Sequence, residues 1–150
     1  MRSVFQDTVL DELIVRVQRL TAQSVPKWGE MNVVQMMAHC NESSKVALGV
    51  KKSKRMFVGR LFGKMILRKV LKNDKPLKKN SPTAPGFIIK DKREFTKEKD
   101  DFIRVLSKLQ TMQIEDFNGK VHPFFGEMNG SEWSVLIYKH FNHHLEQFGV

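Results

Sequence analysis

Three histidines stand close together near the end of the sequence, in the run HFNHH, and two of them have the spacing of a metal site. His140 and His144 are four residues apart, so on a helix their imidazoles leave the same face one turn apart and can reach a common point. Imidazole is a good ligand for zinc, nickel or iron. His140 and His143 form the alternative pair. The helix face that contains His144 also contains Trp133, Ile137 and Phe148, and it is more apolar than the face that contains His143, so it is predicted to face inward.

A third ligand for such a site has to come from another part of the chain. His39 lies in QMMAHC, within an otherwise apolar run, where an unpaired imidazole would be costly to bury. A facing helix of a bundle could bring it to the pair. A structural interpretation of these residues stays open, because the helix dipole favours histidine in a last turn and a lone buried histidine is often a hydrogen-bonded core residue.

The spacing of apolar residues predicts the helices that would carry these histidines. Asn32 and Gln35 form a capping-box pattern at the start of one helix, and Asn129 and Glu132 repeat it at the start of another. The four main helices are predicted over residues 7–20, 33–48, 95–112 and 133–148, with an irregular stretch between the last two. The predicted fold is therefore all-α.

The positive charge of the chain is concentrated in residues 51–79. This segment has twelve Lys or Arg and one acid, Asp74, while the whole chain has a net charge of +10. Residues 54–71 predict a basic amphipathic helix, and the prolines in 73–89 predict a long loop. The segment could bind nucleic acid or an anionic membrane surface as an alternative, non-catalytic function, or it could be a solvated helix face.

Composition limits the class of protein. The length of 150 residues and the hydrophobic content of 41% fit a single domain over residues 1–150. The single cysteine, Cys40, excludes an internal disulfide and a cysteine-based zinc cluster. The N-terminus lacks the apolar core of a signal peptide, and no apolar run is long enough to span a bilayer, so we predict a cytoplasmic protein.

Two stretches resemble the DinB-like superfamily of metalloenzymes. They are WGEMNVVQMMAHCNESS and HPFFGEMNGSEWSVLIYKHFNHHLEQFGV, the second being similar to an uncharacterised bacterial branch. The resemblance implies an up-down-down-up four-helix bundle in which the basic helix and long loop lie between bundle helices two and three. It also implies one zinc or nickel ion held by His39, His140 and His144. Some relatives are transferases or isomerases that use a low-molecular-weight thiol such as bacillithiol or mycothiol, and the resemblance does not choose a reaction.

These inferences together predict a metal-dependent enzyme acting on a small molecule, either a hydrolase or a thiol-dependent transferase. A metal held by three imidazoles keeps a coordination position for water or a thiol, and either ligand loses its proton more easily there. A homodimer would be common for such a bundle, although no residue requires it. Residues within one turn of a ligand are candidates for supporting hydrogen bonds, namely Glu42, Ser43, His143 and Gln147. The candidates for lining the pocket are Trp28, Trp133 and His122.

Overall fold

Five α-helices and one small two-stranded sheet form the protein in a computed structural model that describes residues 1–150. The helices are α1 Val9–Gln18, α2 Val33–Ala47, α3 Phe57–Val70, α4 Phe95–Gln110 and α5 Gly130–Gln147. Strands β1 Lys120–His122 and β2 Gly126–Met128 pair antiparallel, and short 3₁₀ turns lie at Pro85–Phe87 and Ile114–Phe117. None of the helices combines the length and the apolar character that crossing a membrane requires.

The helix starts follow from local capping chemistry. Asn32 accepts a hydrogen bond from the backbone N–H of Gln35, whose side chain accepts one from the backbone of Asn32. Asn129 and Glu132 make the same reciprocal pair at the start of α5. Both predicted capping boxes are therefore present, and they fix where the two histidine-bearing helices begin.

The structure differs from the sequence prediction at helix ends and in the stretch before α5. Helix α5, predicted over 133–148, begins at Gly130, directly after its Asn129 cap. The first helix was expected over residues 7–20 but begins only at Val9, because Thr8 has a left-handed backbone with φ of 67° and cannot continue a helical turn. The stretch between α4 and α5, predicted as irregular, contains the β1–β2 hairpin. Its strands have three residues each, which is too short for an alternating pattern to reveal.

A single cluster of 23 buried residues forms the core. Helices α1, α2, α4 and α5 pack around it, with α2 against α4 and α5, and α1 against α4 and α5. Helix α3 lies outside this group and packs on strand β2 instead. The helices that carry the histidines are thus core elements, whereas the basic helix is peripheral.

Helix α3 is attached through a side that has almost no side chains. Gly59 and Gly63 are buried, and a Cβ at either position would overlap the backbone carbonyl oxygen of Phe124 in the turn between β1 and β2. At the N-terminal end of the helix, the Arg55 guanidinium donates to the carbonyl oxygens of this turn. Close backbone contact of this kind requires glycine, so α3 lies directly on the hairpin turn.

The C-terminal end of α3 is held by one lysine of α5. The buried Lys139 ammonium donates to the carbonyl oxygens of Val70, Asn73 and Lys75 at 2.8, 2.5 and 2.9 Å. A lysine at a helix C-terminus satisfies carbonyls that have no partner in the helix. The same contact fixes the start of the long loop between α3 and α4, which passes beside His39 at Phe87.

Substituting Gly63 with alanine is expected to lower the free energy of unfolding by about 1–3 kcal/mol, because the new methyl group must displace the Phe124 carbonyl. Helix propensity alone would predict the opposite, because replacing glycine with alanine inside a helix usually raises the free energy of unfolding by about 1 kcal/mol. Urea denaturation of both proteins measures the difference. Gly86→Ala is the matched control, because a Cβ there meets no atom within 4 Å. A Gly63→Ala protein as stable as the parent would contradict the packing.

Candidate metal centre

The three histidines nominated from the sequence meet between α2 and α5. Their ring centroids form a nearly equilateral triangle, with 4.9 Å between His39 and His140 and 4.8 Å for each of the other two pairs. One nitrogen from each ring lies within 4.8 Å of the other two. His39 and His144 are buried and His140 is partly exposed, so the cluster has one accessible side.

Hydrogen bonds on the outer nitrogens orient two of the rings. His39 Nδ1 lies 3.0 Å from the carbonyl oxygen of Phe87, which can only accept, so this nitrogen carries the proton. Gln147 donates through Nε2 to the carbonyl oxygen of Trp28 at 2.7 Å, which turns its Oε1 toward His144 Nδ1 at 2.9 Å. His144 is therefore also protonated on Nδ1. Both rings direct an Nε2 lone pair into the cluster.

The third ring completes the set through its own Nε2 atom. His140 Nε2 lies 2.8 Å from His39 Nε2, a hydrogen bond in which His140 donates because His39 has its proton on Nδ1. Zinc–imidazole bonds of about 2.0–2.1 Å in tetrahedral geometry separate two ligand nitrogens by about 3.3 Å. A small outward movement of the rings therefore suits an ion, provided that His140 carries its proton on Nδ1. Three neutral imidazole nitrogens, two of them on rings with fixed outer partners, match the ligand chemistry of zinc and nickel.

Burial keeps these imidazoles in the neutral form that binds metals. Desolvation lowers the pKa of His39, lowers that of His140 well below its usual range, and lowers that of His144 to about 3. For all three, neighbouring histidines contribute in the same direction. The adjacent Cys40 is no ligand, because its thiol contacts Met36 Sδ at 3.9 Å, and burial raises its pKa strongly.

A cavity of about 1200 Å³ opens onto the histidine cluster. Its walls come from α2, α5, the turn between β1 and β2, and the long loop, whose Pro82 and Thr83 line it. About half of its lining residues are hydrophobic and the rest are polar, a mixture that suits a small-molecule site. The predicted pocket residues Trp28, Trp133 and His122 all line this cavity, as do Ser43, His143 and Gln147.

A family model described as "Protein of unknown function (DUF1569)" matches residues 2–149 of the chain. The chain belongs to this family. No curated protein and no solved structure matches it. The description of the DUF1569 family carries no activity, so the chemistry of this DUF1569 protein has to be argued from its side chains.

The residues nominated for supporting roles are placed differently from one another in this DUF1569 protein. Gln147 contacts His144 directly, as described above. Ser43 donates to the carbonyl oxygen of Cys40 at 2.9 Å, and His143 stacks edge-on against His144 and Trp28 without a hydrogen bond to a histidine of the cluster. Trp133 donates to the carbonyl oxygen of Lys120, so its polar atom belongs to the hairpin rather than to the cavity.

Glu42 makes no hydrogen bond to the three histidines. Its carboxylate bonds to Lys45 at 2.5 Å and Lys51 at 3.1 Å, and these lysines help to hold its pKa below the usual range against the opposing effect of burial. Three residues along α2 bring Glu42 near His39 on the helix surface, but its carboxylate is bonded to these lysines and not to a ring nitrogen of the cluster. The sequence-based role of Glu42 as a partner of the ligands therefore finds no support in the geometry.

The sequence did not reveal that Phe87 supplies the acceptor for His39. The contact joins residues 48 positions apart and uses a backbone carbonyl, a group that every residue possesses. The only available signal was the length of the loop over residues 73–89, since a long loop in a small domain is often functional.

The hydrogen bonds predict opposite ring tautomers within one protein. His39 and His144 are expected as Nδ1–H tautomers, whereas His122 is expected as the Nε2–H tautomer because its Nδ1 accepts from the backbone N–H groups of Phe124 and Phe125, both at 3.1 Å. Burial lowers the pKa of His122 to about 4, so this ring stays neutral near pH 7. Long-range ¹H–¹⁵N correlation spectra of the metal-free protein measure each tautomer. An Nε2–H signal for His39 would refute the assigned geometry.

Proposed function

We propose that this DUF1569 protein is a metal-dependent enzyme that acts on a small molecule, as a hydrolase or a thiol-dependent transferase. The observation that carries the proposal is the convergence of three imidazole nitrogens on the wall of a large cavity. His39, His140 and His144 would hold one divalent ion, with zinc or nickel as the metals that suit an all-imidazole site. Three protein ligands leave a coordination position for a substrate or water on the cavity side.

The fold that we assign is the DinB-like four-helix bundle in its up-down-down-up arrangement. Support comes from the packing of α1, α2, α4 and α5 around one core and from the placement of the histidines on α2 and α5. Helix α3 and the long loop lie between the second and third bundle helices, α2 and α4. The whole chain then forms one domain, consistent with the match of the family model to residues 2–149.

The chain's own residues prepare the site for chemistry in three ways. The Phe87 carbonyl and the Gln147 side chain hold the outer nitrogens of two rings, which fixes ring orientation and raises the basicity of the inner nitrogens. The walls of the cavity, including the indole of Trp28, exclude bulk water from one side of the cluster. A bound divalent ion supplies the remaining element, since it lowers the pKa of a water or thiol ligand and so provides a nucleophile at neutral pH.

Protein purified without a histidine tag is expected to contain one divalent ion per chain, and His39→Ala and His144→Ala are expected to lose it. Each substitution removes one of three ligands, and the remaining two cannot hold an ion tightly. Elemental analysis by plasma mass spectrometry after gel filtration measures the content. Any hydrolysis or thiol transfer found in a substrate screen must then disappear on chelation and return when the metal is restored.

His143→Ala is the matched control for this experiment, because His143 adjoins the cluster yet offers it no nitrogen. It is expected to retain the ion. Loss of metal in His143→Ala with retention in His144→Ala would show that the ligands are the alternative pair with three-residue spacing. A wild-type protein without metal, even after incubation with zinc or nickel, would end the proposal.

Gln147→Leu is expected to weaken metal affinity by about 10–100-fold without unfolding the protein, because it removes the acceptor that orients His144. Gln147→Glu keeps an acceptor at this position and is expected to retain most of the affinity. Competition with a chromophoric chelator measures both constants. Equal affinities for the leucine variant and the parent would show that the hydrogen bond has no role in metal binding.

A further inference from the structure

We propose that α3 is a docking helix for anionic membrane surfaces, on which its apolar side enters the interfacial layer and its cations contact lipid phosphates. This inference is independent of the metal site. It rests on three observations: α3 exposes large apolar side chains, these side chains share one face, and the cations of the helix form no ion pair with a carboxylate.

The outer face of α3 exposes large apolar side chains that a water-facing helix would normally lack. Phe57 is 75% exposed, Leu61 63% and Met65 63%, and the neighbouring Val58 and Phe62 are 54% and 48% exposed. These five account for nearly half of the exposed large hydrophobic residues of the chain. A contiguous exposed patch of this kind marks an interaction site.

The five side chains form one face because of how α3 is attached. At 3.6 residues per turn they occupy an arc of about 140°. Gly59, Gly63 and Leu67 occupy the opposite arc: the two glycines are buried against the hairpin turn, and Leu67 is buried in the hydrophobic core. The helix therefore uses its glycine side for attachment to the protein and presents its apolar side outward.

The charges of α3 select an anionic partner. Its cations are Arg60, Lys64, Arg68 and Lys69, all of them exposed, and none forms an ion pair with a carboxylate. The Lys64 ammonium donates to the carbonyl oxygen of Glu127 in the hairpin, whereas the other three have no partner in the chain. The surrounding segment of residues 51–79 has a net charge of +11, from twelve Lys or Arg and one Asp. Each cation near an anionic lipid surface contributes to attraction, and each apolar side chain adds burial.

Two other occupants fit these observations less well. A second copy of the chain would bring two segments of high positive charge together, which is unfavourable. Nucleic acid would neutralise the cations but leave the apolar arc in water, because phosphate contacts need no apolar face. An anionic bilayer satisfies both features at once, since its interfacial layer takes apolar side chains and its headgroups take cations.

Flotation of the full chain with phospholipid vesicles tests the proposal. The protein is expected to float with vesicles of phosphatidylglycerol and phosphatidylcholine in equal parts and to remain in solution with phosphatidylcholine alone. Leu61→Ser is expected to lower the partition coefficient about tenfold through lost apolar burial. Arg60→Gln and Arg68→Gln are each expected to lower it about fivefold at low salt.

Val25→Ser is the matched control, because Val25 is 75% exposed but lies outside α3. It is expected to bind vesicles as the parent does. Met65→Ser provides a second apolar variant, and circular dichroism establishes that each variant is folded. Since all substituted side chains are exposed, the core is unchanged.

Three results would overturn the proposal. The first is absence of binding to the anionic vesicles. The second is equal partitioning of Leu61→Ser, Met65→Ser and Val25→Ser. The third is a preference for another occupant, seen as tight binding to duplex DNA that the apolar variants do not weaken, or as a dimer in analytical ultracentrifugation that Leu61→Ser dissociates, with no vesicle binding in either case.

Discussion

Burying three imidazoles against one another is the constraint on which the arrangement around the cavity depends. Rings 4.8–4.9 Å apart cannot all be charged, and an imidazole in an apolar core needs partners for its nitrogens. The Phe87 carbonyl and the Gln147 amide meet this need from outside the cluster, and Gln147 is itself held by the Trp28 carbonyl. Satisfying the cluster therefore fixes the long loop and the segment before α2 at the same time.

The parts of the site that depend on local spacing could be predicted from the sequence. The four-residue interval of His140 and His144 and the capping boxes at Asn32 and Asn129 act within one helix, where geometry follows from residue number. The partner of His39 could not be predicted, because a backbone carbonyl has no signature in the sequence. Glu42 lies close to His39 along the chain, but its carboxylate is bonded to Lys45 in the last turn of α2 and to Lys51 beyond that helix.

Helix α3 shows a second limit of sequence patterns. Periodicity predicts an amphipathic helix here, and the helix exists over Phe57–Val70. The pattern does not say which side faces the protein, since that is decided by close contact between the glycines and the turn at Phe124. Two glycines four residues apart on one face were the available signal, because such a pair lets another backbone approach the helix. The three-residue strands of the hairpin that receives them were too short to be predicted.

The hydrogen bond from His39 to the Phe87 carbonyl has a consequence for how this region tolerates mutation. Replacing the Phe87 side chain leaves the acceptor in place, so alanine scanning would pass over the contact. The loop between Lys75 and Phe87 is held at both ends: Lys139 of α5 bonds to the carbonyl of Lys75, and His39 of α2 bonds to the carbonyl of Phe87. Inserting or deleting a residue between these two points would therefore move the Phe87 carbonyl. The position of this acceptor therefore depends on the length of the loop and not on the side chain at 87.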